Sequence, residues 1–413
     1  MSMGAGEPPG GARAWLVWGV AAAAYFLAMF HRNGMSAAAL QAQERFDVGP
    51  ALLSVLPMVQ LIVYVALQVP AGVLADRLGP RRSLLIGLGV MACGVLLFAV
   101  APSIVPAVAG RVLIGVGDAL VFLNVIRLGA LWFPRRQYAV ISALTGLTGS
   151  LGQMVSVAPL SALLRGFGWE TTFLGAGAVS VAVGFLVLLV VRDGPVGAAA
   201  ARLHPISLWA SIKEALSARG PRVGMAVHAV LMVPFCVLGI LWGYPFLEQG
   251  YGLTAGRSGM LLTGVALPPM ILVPFLARLT GTHPNLRKPM GLTLAWSITL
   301  AWFLVAAWPG GLPPIQVAGA TIALSAVGAV LAPAIAFDYA RDGLPASRTG
   351  AASGLVNMSG FTSVVGGIVS AGVLLDIYGP DAFQIAFAPM ASLCLLASSV
   401  LTVLLWRYPK RAG

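Results

Sequence analysis

Long apolar stretches recur along the whole chain, and they constrain its fold more than any other feature. Twelve such segments can be delimited: 13–41, 50–74, 83–101, 104–132, 138–164, 169–191, 222–247, 258–279, 289–308, 314–337, 349–375 and 382–406. Most of them exceed the ~20 residues that an α-helix needs to cross a hydrocarbon core of ~30 Å. We therefore predict an all-α polytopic membrane protein with twelve transmembrane helices.

The composition excludes several classes of protein. Of the 413 residues, 59% are hydrophobic and only 9% are charged, whereas soluble domains carry about 25% charged residues. A soluble enzyme, a disordered chain and a nucleic-acid-binding domain are thus ruled out, and the apolar residues are expected to face a lipid bilayer. The three cysteines, Cys93, Cys236 and Cys394, lie in apolar runs. We predict no disulfide, metal site or cofactor. The sequence also has no P-loop or catalytic triad, so no enzymatic activity is expected.

Basic residues indicate the orientation in the membrane. Nineteen lysines and arginines lie at the termini or in loops after even-numbered segments, and three, Arg45, Arg165 and Arg257, lie on the opposite side. The positive-inside rule therefore places both termini in the cytoplasm. The formal net charge of +12 is therefore explained by the orientation in the membrane, and we expect no nucleic-acid partner. The scarcity of lysine and the abundance of alanine and glycine suggest a bacterial gene, so we expect a multi-pass protein of a bacterial inner membrane.

The longest polar stretch, 192–221, separates six apolar segments from six. We predict a cytoplasmic tail (1–12), a six-helix half (13–191), a cytoplasmic linker (192–221), a second six-helix half (222–406) and a second tail (407–413). An amphipathic run at Ile206–Leu216 within the linker is expected to lie at the membrane interface.

The two halves resemble a distant repeat at an offset of about 208 residues. Small residues occur every third position in both: Gly146, Gly149 and Gly152 correspond to Gly354, Asn357 and Gly360. Such spacing lets two helix backbones approach closely. Two interpretations of these small residues stay open. They either allow tight packing alone, or they form two helix faces that move during alternating access.

The loop after the second segment carries a charged motif. It contains Gly72, Asp76, Arg77, Gly79 and Arg81 in the pattern G-x-x-x-D-R-x-G-x-R. This motif resembles the cytoplasmic signature of the major facilitator superfamily, a family of transporters with two six-helix halves.

We interpret this motif as a cytoplasmic latch. Gly79 permits a tight turn, Asp76 faces a helix N-terminus and Arg77 a neighbouring carboxylate. We further expect Arg127 to pair with Asp76. The equivalent stretch of the second half, Arg278 to Lys288, keeps Gly281 but has no aspartate, which predicts a one-sided latch.

Ionisable residues inside the apolar segments are rare, and burying one at the bilayer centre costs at least ~2.5–3.5 kcal/mol. They are His31, Arg32, Arg111, Asp118, Arg127 and His228. Arg111 and Asp118 are seven residues apart and so share one helix face. The second-half equivalents of Arg32, Arg111 and Asp118 are apolar or glycine, so this charged apparatus belongs to the first half. We interpret His228 as a hydrogen-bonded packing residue.

Two segments resemble a narrower family. The run Phe30-His31-Arg32, and Arg111-x6-Asp118 followed by Trp132-Phe133-Pro134, are similar to the anion:cation symporters. The resemblance implies that Arg32 binds a substrate carboxylate and that Asp118 carries a proton. It also implies that Arg111 pairs with the acidic neighbour of Arg32, a position that His31 occupies here.

Other roles stay open for these residues. Arg111 can serve structure or coupling, and Arg32 can extend to the outer interface. Asp118 can be a permanent partner of Arg111 or Arg32. Trp242-Gly243-Tyr244-Pro245 is expected to break the seventh helix, with Trp242 and Tyr244 either in contact with substrate at an outer gate or in the interfacial aromatic belt.

We predict a monomeric secondary transporter that moves a small organic anion by alternating access, with protonation at Asp118 or His31 as the coupling step. The main alternative is proton-driven efflux of drugs or secondary metabolites, although Ser156 to Leu160 lacks the Gly-Pro-x-x-Gly-Gly element of drug antiporters. A membrane sensor or scaffold is a remote alternative. Small-molecule substrate, protons and lipid are the expected partners.

Overall fold

All regular elements in the described part of the protein are helices. The structure, a computed structural model, describes residues 10–194, 208–344 and 349–406. Nine helical stretches within these residues are long and apolar enough to cross a membrane. One of them, Val140–Val190, has 51 residues and covers most of two predicted segments. The all-α membrane fold is therefore confirmed.

The first eight helices account for the first six predicted segments. They are α1 (Ala12–Asn33), α2 (Met35–Phe46), α3 (Pro50–Ala66), α4 (Gln68–Leu78), α5 (Pro80–Val100), α6 (Ile104–Trp132), α7 (Arg135–Val155) and α8 (Ala158–Val190). Segment 1 is interrupted at Gly34, and segment 2 at Leu67. Within α8 the chain turns at Gly168, whose φ of +74° is a conformation that favours glycine.

The remaining helices account for the last six segments. They are α9 (Leu208–Ser217), α10 (Arg219–Val237), α11 (Gly243–Pro245), α12 (Ala255–Thr282), α13 (Arg287–Ala306), α14 (Ile315–Arg341), α15 (Thr349–Tyr378), α16 (Phe383–Ala386) and α17 (Ala388–Trp406). The predicted interfacial run corresponds to α9. The C-terminal tail, most of the N-terminal tail and residues 195–207 of the predicted linker lie outside the described residues.

The described chain separates into two compact units. Residues 10–47 and 56–194 form the first unit, and residues 48–55, 208–344 and 349–406 form the second. The stretch 48–55, at the start of the second predicted segment, thus groups with the second unit. The division into halves at 191 and 222 stays a prediction.

Glycines bring α6 close to its neighbours in the first unit. A β-carbon on Gly110 would lie 2.8 Å from the carbonyl oxygen of Gly94 on α5, and one on Gly115 would lie 2.6 Å from the carbonyl oxygen of Gln60 on α3. Only glycine permits such close approach of two backbones. These contacts fix the height and rotation of α6, and so the positions of Arg111 and Asp118.

The predicted small-residue face of α7 is used in part. A β-carbon on Gly149 would lie 2.5 Å from the ring of Tyr25, and Gly152 lies directly against the carbonyl oxygen of Phe26. Around Gly146, by contrast, no described atom would lie within 4 Å of a β-carbon. The close approach to α1 is therefore made at Gly149 and Gly152 but not at Gly146.

The corresponding face of α15 differs. Gly354 has no described atom within 4 Å of a β-carbon position, and Asn357 is half-buried. Gly360 lies against the side chains of His228 and Met232 of α10. The close approach of backbones that the spacing predicts is therefore absent at Gly354, and at Gly360 the glycine makes room for side chains.

The seventh predicted segment does not break into a loop as expected. Two π-helical stretches, Leu238–Trp242 and Phe246–Gly250, flank α11 and continue the helix with wider turns. A π-helix accommodates an extra residue without giving up the helical ladder, and Pro245 supplies no backbone N–H of its own. The predicted exposure of backbone is replaced here by a change of helix type.

Candidate solute site in the first unit

Arg32 and Asp118 form a two-point ion pair inside the first unit. Arg32 Nε lies 2.7 Å from Asp118 Oδ2, and Arg32 Nη2 lies 2.8 Å from Oδ1. The two residues are only 6% and 1% exposed. Arg32 lies in the last turn of α1, where the helix dipole favours a cation, and Asp118 lies in the middle of α6. Bidentate pairing of this kind is strong and directional.

Arg111 does not pair with Asp118, although the two share a face of α6. Seven residues along a helix correspond to about 10.5 Å, which is too far for this aspartate when it is held by Arg32. Arg111 Nη1 instead donates to the carbonyl oxygen of His31 at 3.1 Å and to Gln60 Oε1 at 3.0 Å. Of the two arginines left open as partners of Asp118, the structure pairs it with Arg32 and not with Arg111.

The guanidinium of Arg111 consequently has only neutral partners. Its Cζ lies 4.1 Å from the centre of the Phe98 ring, and the residue is 1% exposed. Among the described residues, no carboxylate lies within 4.0 Å of it. Arg111 Nε and Gln60 Nε2 also have no hydrogen-bond acceptor among the described residues. The cluster of Arg32, Arg111 and Asp118 thus has one carboxylate, two guanidiniums and N–H donors without an acceptor among the described residues.

His31 is hydrogen-bonded to a serine and not to an arginine. Its Nε2 lies 2.8 Å from Ser180 Oγ, and this hydroxyl lies 3.0 Å from the carbonyl oxygen of Ala176. The hydroxyl has one proton to donate, either to Ala176 or to Nε2. When Ala176 receives it, Nε2 carries the hydrogen and Nδ1 is the proton-accepting nitrogen of the neutral ring; when Nε2 receives it, Nδ1 carries the hydrogen.

Aromatic side chains line the Arg32 side of the cluster. The guanidinium of Arg32 stacks on Tyr64 at 4.0 Å from the ring centre. Tyr25 lies 5.1 Å from Phe122 between ring centres, and Phe122 is 39% exposed. Four residues of this region could not be predicted from the sequence, because isolated tyrosines and neutral polar residues in apolar helices have no distinctive spacing: Tyr25, Tyr64, Gln60 and Ser180.

The predicted turn in the cytoplasmic motif is present. Gly79 has φ of +80°, and its N–H donates to the carbonyl oxygen of Ala75 at 3.1 Å. The next helix, α5, is capped by a residue that the sequence analysis did not single out: Asp193 Oδ1 accepts the backbone N–H of Arg81 at 2.6 Å. The Arg81 guanidinium donates to the carbonyl oxygen of Leu188, also at 2.6 Å.

The remaining charged residues of the predicted latch are Arg77, Arg127 and Asp76. The Arg77 side chain is exposed, and no described carboxylate lies within ion-pairing distance of it. Arg127 Nη2 lies 3.5 Å from the carbonyl oxygen of Gly72, a long hydrogen bond. The side chain of Asp76 lies outside the description, so its pairing with Arg127 stays a prediction.

The second unit has a charged cluster where none was expected. Arg287, at the start of α13, donates to Asp338 and, at 2.5 Å, to Asp342 Oδ2 near the end of α14. Its Cζ also lies 4.4 Å from the centre of the Tyr339 ring. The segment around Arg287 indeed lacks an aspartate of its own, but α14 provides two. Arg287 thus finds its carboxylate partners on another helix, and the one-sided latch stays a prediction.

Trp242 and Tyr244 lie inside the second unit, 1% and 2% exposed. Trp242 Nε1 donates to the carbonyl oxygen of Ile368 at 2.9 Å, and the indole contacts Phe383 edge to face. Burial at this level does not fit an interfacial belt, where such rings meet water. The N–H of Trp242 is also already engaged and is not available to a solute.

A sequence profile of the Major Facilitator Superfamily matches residues 21–367. Among curated proteins, the chain is 25% identical over 235 residues to a protein of Cupriavidus necator named as a sulfoacetate transporter, covering 55% of each chain. It is 26% identical to a protein of Agrobacterium vitis named as a tartrate transporter, over 41% of each chain. It is 27% identical to the methylenomycin A resistance protein of Streptomyces coelicolor, over 54% of this chain and 49% of that one. The matches thus span about half the length of these relatives or less.

Two solved structures share the fold. A bacterial homologue of the human lysosomal transporter Spinster superimposes with a TM-score of 0.76, at 16% identity, over 98% of this chain and 100% of that one. A D-xylose–proton symporter gives a TM-score of 0.71 at 15% identity, over 97% and 98% of the two chains.

Proposed function

The chain belongs to the Major Facilitator Superfamily, and from that premise we propose that it transports a small organic anion by alternating access, coupled to protons. The observation that carries the proposal is the surplus positive charge of the first unit. Arg32 is balanced by Asp118, whereas Arg111 is buried with only carbonyl, amide and aromatic partners among the described residues. An isolated buried cation is costly, and a bound anion would compensate it.

Arg32 gives the proposal a coupling step. Its two-point contact with Asp118 is the geometry with which arginine also binds a substrate carboxylate. A solute carboxylate and Asp118 would therefore compete for the same guanidinium. When the solute takes the place of Asp118, that carboxylate loses its counter-charge and takes up a proton. Anion and proton then move together, as symport requires.

Exchange experiments test the proposal. Purified protein in proteoliposomes should exchange labelled carboxylates in counterflow, and sulfoacetate and tartrate are the first probes because they appear in the names of two relatives. Uptake should accumulate against a gradient when the pH is lower outside than inside. Exchange of lipophilic cations such as tetraphenylphosphonium, with no carboxylate exchanged, would contradict the anion assignment.

Export is the second candidate, and the similarity to the methylenomycin A resistance protein favours it. It predicts a different outcome in the same vesicles: lipophilic compounds should be exchanged, and an Asp118→Asn change alone should abolish their binding. We further propose that the protein acts as a monomer in a bacterial inner membrane. Size-exclusion chromatography with light scattering checks the oligomeric state.

A further inference from the structure

His228 is the one side chain in the described part of the second unit with a fully buried imidazole. It lies at the centre of α10 and is 2% exposed, and neither Nδ1 nor Nε2 has a hydrogen-bond partner among the described residues. Leaving a buried polar group without a hydrogen bond is unfavourable. Nearly all buried polar atoms in native proteins are hydrogen-bonded, so a partner for this ring is expected. The packing role expected for His228 is present, but the expected hydrogen bonds are absent among the described residues.

The surroundings of the ring hold it in place without engaging its nitrogens. On one side lies Gly360 of α15, where a β-carbon would overlap the ring and lie 3.0 Å from Nε2 and 3.1 Å from Met232 Sδ. On another side lies Phe337 of α14, with ring centres 5.4 Å apart and planes inclined by 36°. These neighbours are all uncharged, and none of them forms a hydrogen bond with either ring nitrogen. The glycine is needed because any larger residue would occupy the space of the imidazole.

The two free nitrogens define the chemistry of the missing partner. A neutral imidazole has one donor and one acceptor. A carboxylate can only accept, whereas a hydroxyl group both donates and accepts. The nitrogen that carries no hydrogen can be satisfied only by a donor, and on an organic anion a hydroxyl group supplies one whereas a carboxylate cannot. An apolar solute would leave both unpaired.

We propose that His228 is a solute-binding residue of the second unit and that it recognises a hydroxyl group of the transported anion. The assignment rests on the proposed function and narrows its substrate class to hydroxycarboxylates. Binding sites built to bond a substrate hydroxyl reject analogues that lack it, because their own polar groups then stay unpaired. His228 accordingly determines specificity.

Matched pairs of probes test this assignment. Counterflow is measured for tartrate against succinate and for lactate against propionate, pairs that differ only in hydroxyl groups. The wild-type protein should prefer the hydroxylated member of a pair. His228→Leu should lower that preference about tenfold, the equivalent of one lost hydrogen bond of about 1.4 kcal/mol, through the KM of the hydroxylated anion. His228→Gln, which keeps a donor and an acceptor, should restore part of the preference.

Ser398→Ala is the matched control. It removes a buried hydrogen bond of the same unit, between Thr299 and Ser398 at 2.9 Å, and should leave the preference unchanged. If His228→Leu does not fold, Gly360→Ala provides a second test, because its methyl group displaces the ring and should reduce the same preference. Thermal unfolding of each variant separates loss of fold from loss of recognition.

The outcomes distinguish this assignment from the proposed function. If carboxylates are exchanged but His228→Leu keeps the wild-type preference, or if the wild type has none, His228 does not recognise a hydroxyl and anion transport still stands. A ring that holds only a water molecule would give this result. If the wild-type protein exchanges no carboxylate in any pair, the proposed function fails and the role of His228 fails with it.

Discussion

The two units place their charged side chains at different depths of the helices. In the first unit, Arg111 and Asp118 lie well inside α6, and Arg32 meets Asp118 from α1. In the second unit, Arg287 pairs with aspartates where α13 begins and α14 ends. Charge in the interior of a membrane segment is costly and is kept where it serves a function. A charge at a helix end has a smaller desolvation cost, because water and lipid headgroups are near.

The helix dipoles reinforce the contrast. Arg287 lies at the N-terminus of its helix and Asp342 just beyond the C-terminus of another, so each sits at the end that its charge disfavours. Their mutual pairing offsets that disadvantage and so stabilises the second unit. Arg111 in the first unit has no such compensation within the described residues. We infer that the first unit holds charge for a ligand and the second unit holds charge for stability.

The largest effect is expected for Asp118→Asn. It leaves Arg32 buried without a carboxylate, and breaking a buried pair in this way costs about 3–5 kcal/mol. Thermal unfolding in detergent should show a strong loss of stability. In vesicles, the remaining folded protein should keep counterflow but lose accumulation driven by a pH gradient. Wild-type stability together with pH-driven accumulation in this variant would show that the pair is neither structural nor coupling.

Arg111→Met should affect transport without a comparable effect on folding. The substitution removes an uncompensated buried cation, which is costly to hold, but it also removes the donor to Gln60 Oε1 and to the carbonyl oxygen of His31. The loss of stability should therefore be no more than about 1–3 kcal/mol, while carboxylate exchange falls at least tenfold. A loss of stability as large as that of Asp118→Asn would mean that Arg111 has a structural role instead.

Arg287→Met should give the opposite result in transport. It removes a charged partner from the poorly exposed carboxylate of Asp342, so a loss of about 1–3 kcal/mol in the free energy of unfolding is expected. Carboxylate exchange per folded molecule should stay at the wild-type level. Equilibrium unfolding and counterflow on the same preparation measure both quantities, and a selective change in KM would place Arg287 in solute binding.

His31→Asn should have a moderate effect. Asparagine is shorter than histidine and does not reach the position of Nε2, so Ser180 Oγ loses this partner, and a loss of stability of about 1 kcal/mol is expected. If Asp118 is the coupling residue, this variant keeps both counterflow and pH-driven accumulation. Loss of accumulation in His31→Asn, with accumulation intact in Asp118→Asn, would assign coupling to the histidine.

The smallest effects are expected at equivalent glycines of the two units. Gly146→Ala and Gly354→Ala introduce a methyl group with no described atom within 4 Å, and alanine is favoured over glycine in a helix by ~0.5–1 kcal/mol. Both variants should unfold at or slightly above the wild-type temperature. A marked loss at only one of them would reveal a difference between the units that does not depend on charge.

The sequence was informative wherever one segment determines its own structure. Apolar length predicted the membrane helices, and Gly79 predicted the turn before α5. Arg32, Arg111 and Asp118 stood out because charges are rare in apolar segments. Their presence in the interior of the first unit could therefore be predicted from residue type and position alone.

The pairing of these residues could not be predicted in the same way. Which arginine holds Asp118 depends on how α1 and α6 are rotated in the folded unit, and the orientation of α6 is fixed in part by its close approach to α3 at Gly115 and Gln60. The Arg287 cluster escaped notice because charges at helix ends look like the ordinary basic loops of a membrane protein. The unpaired nitrogens of His228 depend on the packing of three helices, which no single segment encodes.

The central claim is that the first unit binds an anion through its uncompensated arginine, and ligand-dependent thermal stabilisation tests it most directly. The carboxylate with the highest exchange rate is titrated against wild type, Arg111→Met and Arg287→Met, and stabilisation follows the ratio of ligand concentration to Kd. We predict dose-dependent stabilisation of wild type and Arg287→Met and none of Arg111→Met. Equal stabilisation of Arg111→Met, or stabilisation of the wild type by lipophilic cations alone, would contradict the account.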